Sequence, residues 1–157
     1  MNIKLIVVGK TIDDYLKLGE NIYLDRLNHY TRISKIEVVH DKKFKGLPSS
    51  EQKKLEARQI NKYIKNNDYV ILLDVDGYQY KSEEFAKQMQ KYMNQGIKNL
   101  LFIVGGAYGF DEEIIKRADL KLSLSKMTFS HQMVRVFFLE QLYRAFTILK
   151  GEPYHNR

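Results

Sequence analysis

Leu100-Leu101-Phe102-Ile103-Val104-Gly105-Gly106-Ala107-Tyr108-Gly109, followed by Asp111-Glu112-Glu113, is the stretch that decides the fold. Five apolar residues in a row bounded by glycines read as a buried strand. Glycines at the carboxyl end of such a strand let the backbone approach a ligand closely, and open α/β sheets bind their ligands there. The turn matches neither the G-x-G-x-x-G dinucleotide fingerprint nor a P-loop. The acidic start of the helix that follows would repel a phosphate placed on its N-terminus. Two readings stay open for the turn itself, a ligand-binding wall and a purely structural bend.

Working outward, further short apolar runs rich in β-branched residues read as strands at residues 3–8, 33–39, 69–73 and 120–124, beside the one at 99–104. Stretches of helical period separate them. A first helix is expected over residues 13–29, with a stripe of Leu16, Ile22 or Tyr23, and Leu27; a second starts at Pro48-Ser49-Ser50-Glu51; a third has Ser82 as its N-cap and ends near Gly96. This alternation predicts an α/β fold with a mostly parallel sheet and flanking helices. The last helix, over residues 131–149 and closed by Gly151, is apolar over more than one face, so it needs two apolar neighbours. Those neighbours are either elements of its own domain or a symmetry mate in a dimer.

The chain has 157 residues, a length suited to one domain with its own core. It has no cysteine, and its four histidines lie without metal-helix spacing, so neither a disulfide framework nor a metal site is expected. The apolar run at residues 5–8 is too short for a signal-peptide core or a membrane span, and a cytoplasmic protein without membrane attachment is the expectation. Twenty-six Lys and Arg against 19 Asp and Glu give a formal charge of +7, which suits a polyanionic partner.

The chemistry-bearing stretch is Leu122-Ser123-Leu124-Ser125-Lys126-Met127-Thr128-Phe129-Ser130-His131-Gln132-Met133-Val134-Arg135. Strand-like alternation gives way to polar, hydrogen-bonding residues, and His131 and Arg135 follow four apart at a helix start, on one face. Together they could position a phosphate or carbonyl, with His131 able to titrate near neutral pH; a solvated or capping histidine is the plainer alternative. At the end of the chain, Glu152-Pro153-Tyr154-His155-Asn156-Arg157 is either a frayed terminus or a group of side chains suited to stacking on a base and meeting a phosphate. Lys42, Lys43, Lys45, Lys53 and Lys54 around Phe44 read first as a solvated face, Asp74 and Asp76 before Gly77 as a turn, and His29 and His40 as residues without evident partners.

In combination these blocks resemble the RlmH family of SPOUT methyltransferases, which methylate a pseudouridine in bacterial large-subunit ribosomal RNA. The match is carried along the whole chain by Val7-Val8-Gly9-Lys10, Val104-Gly105-Gly106 with Gly109, Leu122 through Phe129, His131-Gln132-Met133-Val134-Arg135-Val136, Glu140-Gln141-Leu142-Tyr143-Arg144-Ala145 and Gly151-Glu152-Pro153-Tyr154-His155. The resemblance implies a C-terminal trefoil knot, a homodimer, S-adenosylmethionine as cofactor and 23S ribosomal RNA in the ribosome as partner. It assigns cofactor contacts to Leu73, Gly105, Gly106, Leu124, Ser125, Lys126, Met127, Thr128 and Phe129, and RNA-facing or catalytic roles to His131, Arg135, Tyr154, His155 and Arg157. Two positions depart from the family pattern: Ser130 stands where proline is common, and Asn156 separates Tyr154-His155 from the basic Arg157. The implied reaction is methyl transfer to N3 of pseudouridine, with His155 or His131 as base and Arg135 or Arg157 as the stabilising cation. Two rivals account for fewer features: a non-catalytic ribosome-binding protein leaves residues 124–129 without a role, and a nucleotide-binding oxidoreductase lacks its fingerprint.

Overall fold

The computed structural model describes residues 1–40 and 42–156. Its centre is a five-stranded sheet formed by β1 (Asn2–Val8), β2 (Arg32–Val38), β3 (Tyr69–Tyr78), β4 (Asn99–Val104) and β5 (Leu120–Leu122) in the order β2-β1-β4-β3-β5, every neighbouring pair parallel. β4, the decisive stretch of the sequence, is fully buried between β1 and β3 from Leu100 to Val104. Alternate side chains of a strand point to opposite faces. Leu100, Phe102 and Val104 therefore join one apolar cluster, and Leu101 and Ile103 join another.

Helices cover both faces. α1 (Asp14–Leu27), α3 (Ser82–Asn94) and α5 (Met133–Lys150) lie over the first, and α2 (Ser49–Asn61) and α4 (Glu112–Arg117) over the second. α5 runs between α1 and α3 with Phe138 against Phe102 of the sheet, ring centroids 4.5 Å apart. Its broad apolar surface is thus met mainly by its own chain; Phe138, Leu139, Leu142 and Ala145 are buried, whereas Phe137 is left exposed. Gly151 ends the helix in the left-handed conformation that favours glycine.

Three local expectations are corrected. Lys81, not Ser82, is the N-cap of α3, where the Glu84 carboxylate accepts from the Lys81 backbone N–H at 2.8 Å and satisfies a free donor of the first turn. α5 begins at Met133, because the Ser130 hydroxyl accepts from the Met133 N–H at 3.0 Å and the Ser130 carbonyl from the Val134 N–H at 3.1 Å. β5 is shorter than expected and β3 longer, and both changes have one cause. After Leu73 the register of β3 against β5 shifts, so Leu122 pairs with both Leu73 and Tyr78, and the Ser123 N–H donates to the Tyr78 carbonyl at 2.9 Å. A Cβ on Gly77 would lie 2.5 Å from the Leu122 carbonyl carbon, so only glycine allows this close approach.

Candidate active site

Beyond the carboxyl ends of β3, β4 and β5 lies a cavity of about 420 Å³, within the size range of small-molecule sites. Three chain segments wall it. The first, Leu73, Asp74 and Val75, is where the register of β3 shifts. The second is the glycine turn, Gly105, Gly106, Ala107 and Gly109, backed by Phe110. The third is the loop after β5, from Leu122 to Ser125 and from Met127 to His131, with Val134 from the first turn of α5.

The loop holds its shape through its own hydroxyls. The Ser123 hydroxyl donates to the Ser125 carbonyl at 2.9 Å, and the Ser125 hydroxyl accepts from the Met127 N–H at 2.9 Å. Phe129 packs on Phe137, centroids 4.8 Å apart, which ties the far end of the loop to α5. Opposite, Asp111 caps α4 by accepting from the Glu113 N–H at 3.0 Å, so that helix start is satisfied within its own first turn. Asp74 accepts from the Asp76 N–H and pairs with Lys121 at 3.3 Å, which makes it the organiser of this stretch of β3.

Of the residues singled out in the sequence, Leu73, Gly105, Gly106, Leu124, Ser125, Met127, Thr128, Phe129 and His131 are brought together on the cavity wall. Lys126 belongs to the same loop but its exposed side chain is not part of the wall. Burial, with help from the positive charges of Arg135 and His40, lowers the His131 pKa, so its imidazole is neutral at physiological pH and can accept a proton.

Arg135 does not share the cavity with His131, and the sequence expectation of a substrate-facing cation there is revised. Its side chain is fully buried. Nη2 donates to the Val8 carbonyl at 2.7 Å, Nη1 to the Gly9 carbonyl at 3.1 Å and to the Thr11 hydroxyl at 2.9 Å, and Nε to the His131 carbonyl at 3.1 Å. The guanidinium is a strut between the end of β1 and the start of α5. Behind it the buried Glu20 accepts from Thr11 at 2.5 Å and pairs with Lys35. The shared face expected for residues 131 and 135 fails because α5 starts only at Met133, leaving His131 in the preceding turn.

Tyr154 and His155 also lie off the wall. The Tyr154 hydroxyl sits 3.3 Å from that of Tyr23 and 3.1 Å from Glu140, its ring lies under the Arg144 guanidinium, and His155 reaches Glu83 at 3.4 Å. The end of the chain therefore packs on α1, α3 and α5 of its own molecule. Arg157 lies outside the described residues. Sequence reasoning missed Glu56 and the partner of His40. Glu56 is buried on α2 against Gly106 and pairs with His40 Nδ1 at 3.3 Å. No spacing rule links residues 40, 56 and 106, which meet only across the sheet.

Residues 1–155 match the family model described as "Predicted SPOUT methyltransferase". The chain is 55% identical over its whole length to the ribosomal RNA large subunit methyltransferase H of Christiangramia forsetii, all of which is covered. It is 49% identical to the protein of the same name from Flavobacterium johnsoniae, again over the full length of both chains. The chain belongs to the SPOUT methyltransferase family, in the group of ribosomal RNA large subunit methyltransferase H. A similar fold is seen in the solved structure of a probable methylase family protein from Haemophilus influenzae, with a TM-score of 0.57 at 10% identity, covering 99% of this chain and 71% of that one. At that identity the likeness speaks for the fold alone. Family membership makes the cavity at the β4 turn the place to look for the chemistry. Among the described residues no helix is long and apolar enough to cross a membrane, and no three potential ligands gather to hold a metal.

Proposed function

We propose that this protein transfers a methyl group from S-adenosylmethionine to N3 of a pseudouridine in 23S ribosomal RNA, acting in the cytoplasm on the assembled ribosome. The observation that carries the reading is the cavity at the carboxyl ends of β3, β4 and β5, in a chain whose full-length relatives are named as large-subunit ribosomal RNA methyltransferases. The residues present fit the cofactor. Gly105 and Gly106 offer bare backbone for close approach, Leu73, Leu124 and Phe129 offer apolar walls for a flat base, and Ser125 and Thr128 offer hydroxyls for polar substituents. Lys126, at the mouth, would meet the cofactor or the RNA backbone rather than line the interior.

When bound, the cofactor supplies an electrophilic methyl group on its sulfonium sulfur. The protein's part is to orient the two reactants and to take a proton from the imide N3. His131 lines the cavity and is neutral at pH 7, so a ring nitrogen can accept that proton. Arg135 contributes by fixing the His131 backbone rather than by touching substrate.

The reading includes a homodimer. Ile12, Tyr15, Leu18 and Ile22 project from the start and one side of α1 with 39–71% of their surface exposed, and Phe137 of α5 is exposed as well. An apolar row of this kind marks a protein interface. Tyr154 and His155 do not line the cavity of their own chain, which fits a role at the cavity of a second copy; Arg157, the candidate cation, lies outside the described residues. The trefoil knot belongs to the same reading, carried by membership of the SPOUT family. A net charge of +7 suits an RNA surface.

The test is methylation with labelled cofactor of ribosomes from cells lacking the enzyme, followed by mapping of the modified base. Incorporation at one pseudouridine is expected, with free ribosomal RNA a poor substrate. Removal of residues 154–157 should abolish transfer and leave S-adenosylmethionine binding intact. Ribosome binding without any affinity for the cofactor would replace this reading by that of a non-catalytic ribosome-binding protein.

A further inference from the structure

Glu56 is a costly residue in its place. It lies on α2 next to Ala57 and one turn before Ile60, both packed into the apolar cluster under the second face of the sheet, and only 4% of its surface is exposed. Burying a carboxylate there costs more than burying an apolar side chain of similar volume, so its retention calls for something that it holds. Two groups qualify. His40 Nδ1 approaches Glu56 Oε1 to 3.3 Å, with the His40 ring edge-on to Phe44. On its other side the carboxylate packs directly against the Gly106 backbone.

What a side chain at residue 106 would meet is the Glu56 carboxylate, and backbone conformation does not call for glycine there. Gly106 is not among the glycines with positive φ, so an L side chain suits its backbone. A Cβ added there would lie 2.6 Å from Glu56 Oε1 and 2.8 Å from Oε2, closer than such atoms come. Glycine at 106 and glutamate at 56 are a matched pair across the sheet. Gly106 is at the same time part of the cavity wall.

We propose that Glu56, held by His40, is a positioning residue of the cofactor cavity, its carboxylate fixing the Gly106 backbone and hence the wall formed by the 105–109 turn. The inference rests on the cofactor reading above. Burial raises the Glu56 pKa and outweighs the opposing influence of His40 and the Gly106 backbone. Lys42 and Lys43 are carried on the short 3-10 helix Lys42–Phe44, with Lys45 directly after it, and the His40 ring ties Phe44 to the same pair.

The experiment combines cofactor binding by calorimetry with hydrogen exchange of the Gly106 amide in protein free of cofactor. Glu56→Ala is expected to weaken S-adenosylmethionine binding about tenfold, as the turn loses the group packed behind it, and to speed Gly106 exchange by a similar factor. Turnover at saturating cofactor should fall much less than affinity. Glu56→Gln keeps an acceptor oxygen in place and should restore binding and exchange to within about threefold of the original. Gly106→Ala alone should weaken binding, and combining it with Glu56→Ala should add little, because the atoms it strikes are gone. His40→Ala, at a part-exposed position, should produce a smaller loss in the same two measurements and serves if Glu56→Ala does not fold. Unchanged affinity and Gly106 exchange in a folded Glu56→Ala protein would overturn the proposal, as would fully additive losses in the double variant. If the unaltered protein binds no S-adenosylmethionine, the cofactor reading falls, and accelerated Gly106 exchange in Glu56→Ala would still uphold the positioning of the turn.

Discussion

Replacing Arg135 by methionine separates a structural strut from a catalytic cation. The guanidinium is fully buried and donates to the carbonyls of Val8, Gly9 and His131 and to the Thr11 hydroxyl, at 2.7–3.1 Å. Methionine fills much of the volume but satisfies none of these acceptors. Each buried acceptor left without its charged donor costs about 1–3 kcal/mol, and part of the loss is offset by no longer burying the guanidinium charge, so a net loss of about 3–5 kcal/mol is expected. That is a large share of the roughly 5–15 kcal/mol that stabilises a domain, and it lowers the melting temperature of a chain this size by roughly 10 °C. Urea unfolding followed by circular dichroism measures the free energy, and calorimetry on the same sample measures S-adenosylmethionine affinity, which should drop as the His131 segment loosens. A variant within about 1 kcal/mol of the original that has lost only turnover would refute the strut and return Arg135 to the substrate side.

Thr128→Trp, at an exposed position on the cavity rim, should block S-adenosylmethionine binding in calorimetry while leaving the melting temperature within a few degrees of the original. His131 should titrate by NMR below its ordinary value of 6.5, because burial disfavours its charged form. Because the folded protein resists protonating this histidine, the unfolded chain binds more protons as pH falls below 6.5. Its contribution to stability is therefore present above 6.5 and declines between 6.5 and the lower folded pKa. If the proposed homodimer forms through the exposed row of α1, Leu18→Glu should leave the protein monomeric in sedimentation and abolish methylation while cofactor binding is weakened far less. A monomer with full methylation activity would remove the second copy from the site.

The strand β4 and the glycine turn could be read directly, because a continuous apolar run followed by glycines has few meanings inside an α/β pattern. The loop over residues 122–129 was legible as unusual for the same reason: strand alternation breaks into hydroxyl residues that bond one another. Arg135 was misread because spacing four residues from His131 implies a shared helix face only if both residues are helical, and Ser130 starts the helix too late for that. Ser130 itself, a departure from the common proline, shows its purpose only in the structure, where its hydroxyl accepts from the Met133 N–H at the start of α5. His40 looked solitary because its partner, Glu56, stands on another element.

The sequence by itself determined the alternation of strands and helices, the covered β4 strand and the segments that wall the cavity, since burial period and turn chemistry act between near neighbours along the chain. Tertiary structure alone decided the strand order, the close approach at Gly77, the strut role of Arg135, the docking of Tyr154 and His155 on their own molecule and the pairing of Glu56 with Gly106. Each of these depends on which distant surfaces meet and on how buried polar groups find partners there. Such partnerships are set by packing across the sheet, and local sequence period carries no record of them.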